Sequence, residues 1–273
     1  MNNMWQYSHT GFQVLQIPTL RDNYTYMVLP DDLPSAWVID PADAGLVVQS
    51  CQLKKRWINH IWNTHHHWDH TDGNDVLREK YDCVVHAAKI ERLRIPSMTH
   101  ELSDHESWNI DGLTIEVLAV PGHTDGHLAF LVGNALFCGD ALFSAGCGRL
   151  FEGTPAQMLG SLQRLMSLPD ATLVYCAHEY TLMNLQFARA VADSLADRTY
   201  HRHCLKRQSV VTAMRHDGQP SVPVLLKEER LFNPFLQVWH ERFCANYAQI
   251  HGTGHSPLAV FTHMRQWRNN FLC

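Results

Sequence analysis

Between residues 64 and 70 the chain reads Thr64-His65-His66-His67-Trp68-Asp69-His70, placing four imidazoles and a carboxylate in seven positions. The preceding stretch, Ile58-Asn59-His60-Ile61-Trp62-Asn63, has the pattern of a buried strand. Such a density of imidazole and carboxylate at the end of a strand costs stability unless something pairs with it, and a divalent metal is the partner that suits these groups. His65 and His67 are two residues apart, so in an extended segment both point the same way and can reach one ion. His66 points away and is not counted. Asp69 and His70 follow as the chain turns and can reach a second position. Four ligands from one loop crowd a single tetrahedral ion, which favours division between two sites.

Further along, the chain supplies the remaining ligands at equivalent places. His123 lies in Pro121-Gly122-His123-Thr124-Asp125-Gly126-His127, directly after an apolar run. Gly122 allows the backbone to approach a site closely. His127 begins the next apolar run and reads as a supporting or structural residue. Asp140 closes Ala135-Leu136-Phe137-Cys138-Gly139, and a carboxylate there is costly unless paired. His178 follows the apolar run 173–176. All these candidates stand where strands end and loops begin, the usual place for sites in α/β folds. Five histidines and two aspartates suit two ions roughly 3.5–4 Å apart that share a carboxylate and a water.

The elements that must position them can be read from periodicity. Short runs rich in aromatic and β-branched residues at 12–17, 24–29, 36–39 and 57–62 predict strands separated by turns. Residues 44–55 have helical length and pattern. Thr71 can cap a helix running to about Lys80. Strands are expected at 83–86, 113–120, 128–132, 135–138 and 173–176, with 100–106 a polar loop. Gly133-Asn134 marks a hairpin. Thr154-Pro155-Ala156-Gln157 combines a capping box with proline at the first helical position, followed by a helix with Met158, Leu159, Leu162, Leu165 and Met166 on one face. From Glu179 the strand-like runs stop and helical patterns continue to Phe271, interrupted by a connector at 220–223.

The chain has 273 residues, 45% hydrophobic and 18% charged, enough for a sizeable core. A net charge of -5 without a long basic run argues against nucleic acid as the main partner. Eight scattered cysteines with no CxxC pair suggest free thiols in a reducing compartment. Neither a signal peptide nor an apolar stretch of membrane-spanning length is evident, so a cytoplasmic protein without membrane association is expected.

The first motif resembles the HxHxDH signature of the metallo-β-lactamase superfamily. Pro121-Gly122-His123-Thr124, Cys138-Gly139-Asp140 and Ala177-His178-Glu179-Tyr180-Thr181 follow in the order that superfamily uses. Gly146-Cys147-Gly148-Arg149-Leu150-Phe151-Glu152-Gly153-Thr154, the stretch from His178 to Thr181, Val222-Pro223-Val224-Leu225-Leu226-Lys227-Glu228-Glu229-Arg230 and the final Arg265-Gln266-Trp267-Arg268-Asn269-Asn270-Phe271 narrow the likeness to glyoxalase II, the bacterial hydroxyacylglutathione hydrolases.

That resemblance implies an α/β fold, a four-layer αββα sandwich with a C-terminal helical domain. It divides the chain into a metal-binding catalytic domain at 1–178 and a helical glutathione-binding domain at 179–273. It implies that His65, His67 and His123 bind the first of two divalent ions, that Asp69, His70 and His178 bind the second, and that Asp140 bridges them. Zinc suits the mixed ligands, and Fe or Mn also fit. Arg149, Phe151 and Tyr180 match positions that contact glutathione, and Arg265 and Arg268 match a basic pair for its glycine carboxylate. The implied reaction is hydrolysis of S-D-lactoylglutathione to glutathione and D-lactate by a hydroxide bridging the metals, with Asp69 and Asp140 as catalytic residues. A monomer acting on a small molecule is expected.

The second basic position, often Lys in that family, is Arg268 here. About ten residues precede the first family-like strand, and 239–256 follows no family pattern. A persulfide dioxygenase with one iron is the nearest alternative on the same fold. A nucleic-acid-processing enzyme and a non-catalytic metal-binding module are more distant ones.

Overall fold

The molecule is built on two mixed sheets whose inner faces pack together. The structure, a computed structural model, describes residues 4–271. Strands β1 (Trp5–His9), β2 (Phe12–Thr19), β3 (Asn23–Pro30) and β4 (Ser35–Ile39) form an antiparallel meander. Helix α1 (Ala44–Lys54) crosses to β5 (Trp57–Trp62), which pairs parallel to β4. The short α2 (Trp68–Thr71) and α3 (Asn74–Tyr81) then lead to β6 (Val84–Ala88) and β7 (His100–Leu102), both parallel additions that complete a seven-stranded sheet.

The second sheet begins with the antiparallel run β8 (Ser107–Ile110), β9 (Leu113–Ala119), β10 (Leu128–Val132) and β11 (Ala135–Gly139). A small ribbon of β12 (Leu142–Phe143) and β13 (Gly146–Cys147) follows. Helix α4 (Pro155–Met166) then crosses to β14 (Leu173–Cys176), parallel to β11. The Thr154 capping box is formed on both sides, satisfying two amide donors that the first turn of α4 leaves open.

Helices α5 (Thr181–Ser194) and α6 (Arg198–His216) come next. The two-residue β15 (Val224–Leu225) pairs with β14, and α7 (Leu226–Phe232), α8 (Glu241–His251) and α9 (Pro257–Asn270) finish the described chain.

The layering follows from the period-2 alternation of strand side chains. On β3, which is buried along its whole length, Tyr24, Tyr26 and Val28 join the core between the sheets with Phe130 and Phe137. Met27 and Leu29 face the other way and pack with Val47 of α1 and Leu77 of α3. Met158, Leu162 and Leu165 of α4 belong to the inter-sheet core cluster, as do Leu185, Phe187, Val260, Phe261 and Met264 of the C-terminal helices. The order is helix, sheet, sheet, helix, and the C-terminal helices share one continuous core with the second sheet.

Three local expectations need correction. Thr71 does not cap the long helix. It ends α2, where its hydroxyl donates to the His67 carbonyl, and α3 starts only after Gly73, whose amide donates to the Pro41 carbonyl. The segment 100–106 is not all loop, because three residues of it add β7 to the sheet edge. Strand formation does not stop at Glu179, because β15 returns to the second sheet.

Strand direction explains why distant residues meet. β9, β11 and β14 run the same way, as do β4 and β5. Their carboxyl ends, and the turn between β2 and β3, therefore gather at one edge of the sandwich. Asn23 bridges to His178 there, and the Tyr24 amide donates to the Ala177 carbonyl at 2.7 Å, pinning the two sheets together.

Candidate metal centre

Four strand ends deliver the candidate ligands. β5 leads into His65, His67, Asp69 and His70; β9 into His123; β11 into Asp140; β14 into His178. One atom from each of His65, His67 and His123 lies within 4.8 Å of the others, and the same holds for Asp69, His70 and His178 and for His65, His70 and Asp140. Asp140 is buried and lies between the groups. Its Oδ2 is 3.3 Å from His123 Nε2, and its Oδ1 is 3.3 Å from His178 Nε2 and 3.6 Å from His70 Nε2. Asp69 Oδ2 is 3.5 Å from His178 Nε2 and 3.7 Å from His70 Nε2. All seven residues singled out as ligands therefore converge.

The imidazoles are aimed by partners on their far nitrogens. His70 Nδ1 lies 2.9 Å from Asp40 Oδ2, His178 Nδ1 lies 2.9 Å from Asp22 Oδ1, and His123 Nδ1 donates to the Arg149 carbonyl at 2.8 Å. This arrangement fixes ring orientation and leaves each Nε2 facing the common space. Asn23 donates to Asp69 Oδ2 at 3.0 Å. His127 is buried, stacks on His65, and its Nε2 accepts the Asp140 amide at 3.1 Å, which holds Asp140 in register. Gly148 is required by close approach: a Cβ there would stand 2.0 Å from the Asp140 carbonyl.

Asp22, Asn23 and Asp40 were not singled out from the sequence. Asp22 and Asn23 read as turn residues between strands. Asp40 ends an apolar run at 36–39, the same signal that marked Asp140, and that signal was available.

The donor set fits a divalent metal site. His70 Nε2 and Asp140 Oδ1 are buried without a hydrogen-bond partner. His67 Nδ1 lies 2.9 Å from His65 Nε2 and 3.1 Å from His123 Nε2, three nitrogens clustered around one space. Burial, reinforced by neighbouring imidazoles, pushes His65 well down and His67 to about 4, so both offer lone pairs at neutral pH. Burial opposes the charge on Asp140, but His178, His70 and His123 outweigh it and hold the carboxyl well below its usual range. Burial likewise opposes the proton on His178, yet Asp140, Asp22 and Asp69 together push it up to about 10. A cation suits this mixture of buried lone pairs and negative charge.

The other residues singled out lie around this centre in different ways. Phe151 is 60% exposed, with its ring 5.6 Å from His67 and 5.2 Å from His123, and the Arg149 guanidinium lies over it. Tyr180 stacks on His178 with centroids 4.7 Å apart. Arg265 is buried and turned inward, donating to the Cys147 carbonyl at 2.8 Å. Arg268 is half-buried beside Asn184 and Phe187. His66, set aside as a ligand of the pair, faces Glu91 and Glu152 instead.

Comparison with known proteins agrees with this picture. Residues 52–178 match the family described as metallo-beta-lactamase superfamily, and residues 179–271 match hydroxyacylglutathione hydrolase C-terminus. A hydroxyacylglutathione hydrolase of Synechococcus sp. (strain JA-2-3B'a(2-13)) is 44% identical over 263 residues, covering 95% of this chain and the relative's full length. Among solved structures, ETHE1 from Myxococcus xanthus superposes with a TM-score of 0.61 at 23% identity, covering 99% of this chain and 92% of that one. TTHA1623 in a di-iron-bound form gives 0.51 at 26% identity, covering 60% and 91%.

The two-sheet fold with histidines and aspartates at its strand ends defines a metallo-β-lactamase superfamily protein. Within that class, the chain belongs to the hydroxyacylglutathione hydrolase family.

Proposed function

We propose that this chain hydrolyses S-(2-hydroxyacyl)glutathione thioesters, S-D-lactoylglutathione foremost, to glutathione and a 2-hydroxy acid, the second step of methylglyoxal detoxification. The observation that carries the reading is the convergence of seven His and Asp side chains in a chain that aligns along nearly its whole length with hydroxyacylglutathione hydrolases. In this reading His65, His67 and His123 hold one divalent ion, Asp69, His70 and His178 hold a second, and Asp140 stands between. Zinc suits the nitrogen and oxygen donors, with iron or manganese also compatible. The di-iron form of TTHA1623 supports a two-ion site.

When bound, such ions supply Lewis acidity and a nucleophile from water at neutral pH. The chain's own residues do the positioning. Asp40, Asp22 and the Arg149 carbonyl lock the imidazoles, His127 and Asn23 lock the carboxylates, and Asp69 is placed to orient the attacking oxygen. Phe151 gives an apolar wall beside His67 and His123. Tyr180 and Arg149 flank the glutathione moiety. Arg268 offers its guanidinium to the glycine carboxylate, while Arg265 also braces the Cys147 loop. The leaving thiolate corresponds to a thiol of pKa about 8.5, so departure needs no strong general acid.

We take 1–178 as the catalytic part and 179–273 as the part that adds glutathione contacts, acting as one chain in a reducing cytoplasm. The burial of seven unpaired cysteines supports that compartment; Cys273 lies outside the described residues. No helix among the described residues is long and apolar enough to cross a membrane. Thiol release from S-D-lactoylglutathione by the metal-loaded protein tests the reading. Oxygen consumption on a glutathione persulfide, with no thioester cleavage, would replace it with the dioxygenase alternative.

A further inference from the structure

Next to the centre, on the far side of its ligand loop, lies a second cluster that the seven converging residues leave unused. Glu91 is buried at 1% exposure, yet neither of its carboxylate oxygens has a hydrogen-bond partner. A buried carboxylate in that state is costly. Gly126 leaves room for it: a Cβ on Gly126 would stand 2.2 Å from Glu91 Oε1.

Three groups surround this carboxylate. His66 Nδ1 lies 3.0 Å from Glu91 Oε2, and His66 Nε2 lies 3.6 Å from Glu152 Oε1. Arg94 closes on Glu152 at 2.6 Å but stays 3.7 Å from Glu91, beyond hydrogen-bond reach. Arg94 Nη1 is also 3.3 Å from His66 Nδ1. Both oxygens of the buried Glu91 carboxylate, without a hydrogen-bond partner, thus border a space shared with His66 and Glu152.

We propose that His66, Glu91 and Glu152 form an auxiliary divalent-cation site, distinct from the catalytic centre. One atom of each lies within 4.8 Å of the others. Ligand atoms on a tetrahedral ion with bonds of about 2.0–2.2 Å stand about 3.3 Å apart, close to the spacing of His66 and Glu91. One imidazole and two carboxylates suit Zn²⁺ or Mn²⁺. An ion there joins three segments. His66 belongs to the ligand loop, Glu91 to the turn after β6, and Glu152 to the loop carrying Arg149 and Phe151. Glu152 also accepts the Asp125 amide at 2.9 Å, extending the tie to the His123 loop.

The proposal does not depend on the thioesterase reading. The test strips the full chain of metal, reloads it with Zn²⁺ alone or Mn²⁺ alone, desalts it, and counts ions per chain by elemental analysis. Wild type is expected to hold one equivalent more than Glu91→Gln and one more than Glu152→Gln. Glu152 is partly exposed, so its variant carries the test if the buried Glu91→Gln fails to fold. Asp140→Ala, counted in parallel, lowers occupancy of the catalytic centre and keeps the two sites distinguishable. Equal ion counts in wild type and the glutamate variants would overturn the proposal.

Discussion

Asp40 Oδ2 sits 2.9 Å from His70 Nδ1, and the same carboxylate accepts the Thr64 amide at 2.8 Å and the Thr64 hydroxyl at 2.6 Å. Asp40 is buried and adopts a left-handed φ of 51°, at the end of the strand next to the one that feeds the ligand loop. It therefore sets the backbone at the start of that loop and the ring orientation near its end. Asp40→Asn keeps the size but leaves one oxygen to accept three donors. Metal affinity is expected to fall about 10- to 100-fold, measured by competition with a chromogenic chelator. Wild-type affinity would show that His70 is oriented without Asp40.

Arg265 and Arg268 lie on one helix, three residues apart, but do different things. Arg268→Ala is expected to raise KM for a glutathione thioester about tenfold, the cost of one hydrogen bond to a charged group, with little change in Tm. Arg265→Ala also strips the buried Cys147 carbonyl of its donor, so KM should rise and Tm should fall together. An unaltered KM in both variants would remove the carboxylate role.

Gly148→Ala would drive a Cβ to 2.0 Å from the Asp140 carbonyl and 3.1 Å from His123 Nδ1. The loop must move, at a cost of roughly 1–3 kcal/mol in stability, and activity should drop with it. Gly160 in α4 provides the control, since a Cβ there meets nothing within 4 Å. Gly160→Ala should stabilise by up to about 1 kcal/mol and leave activity intact. Equal behaviour of the two variants would argue against close packing at Gly148.

Away from the centre, Glu229 is fully buried and accepts hydrogen bonds from Ser144, Ala145 and Asn233. Burial outweighs these bonds and pushes its carboxyl up to about 7. An unfolded glutamate titrates at about 4.3, so between the two values the native state holds a proton that the unfolded chain has lost. This contribution to stability is complete below the unfolded value and declines as pH rises towards about 7. Glu229→Gln should flatten the dependence of Tm on pH across that window. An unchanged slope would place the titration elsewhere.

The ligand loop was legible because its residues are adjacent, so a spacing rule could be applied within seven positions. His123, Asp140 and His178 were legible because each interrupts or ends an apolar run. Asp40 carried the same signal, ending the apolar run at 36–39, but Asp22 and Asn23 did not, since a lone polar residue at a turn looks the same whether or not a distant histidine or carboxylate needs it. Their role depends on strand direction, which brings Asp22 to His178 across 156 positions. The strand at His100–Leu102 escaped notice for a similar reason. It is short and polar in sequence, and pairing with β6 rather than its own pattern makes it a strand. The break at Asp72 and Gly73 is tertiary too, because the Pro41 carbonyl claims the Gly73 amide.

The most direct test is Asp140→Ala, assayed for S-D-lactoylglutathione hydrolysis and for bound metal on the same sample. Asp140 approaches His70, His123 and His178 at once. Its removal should collapse hydrolysis and reduce the metal content while the fold persists by circular dichroism. Full activity with full metal content would contradict the account.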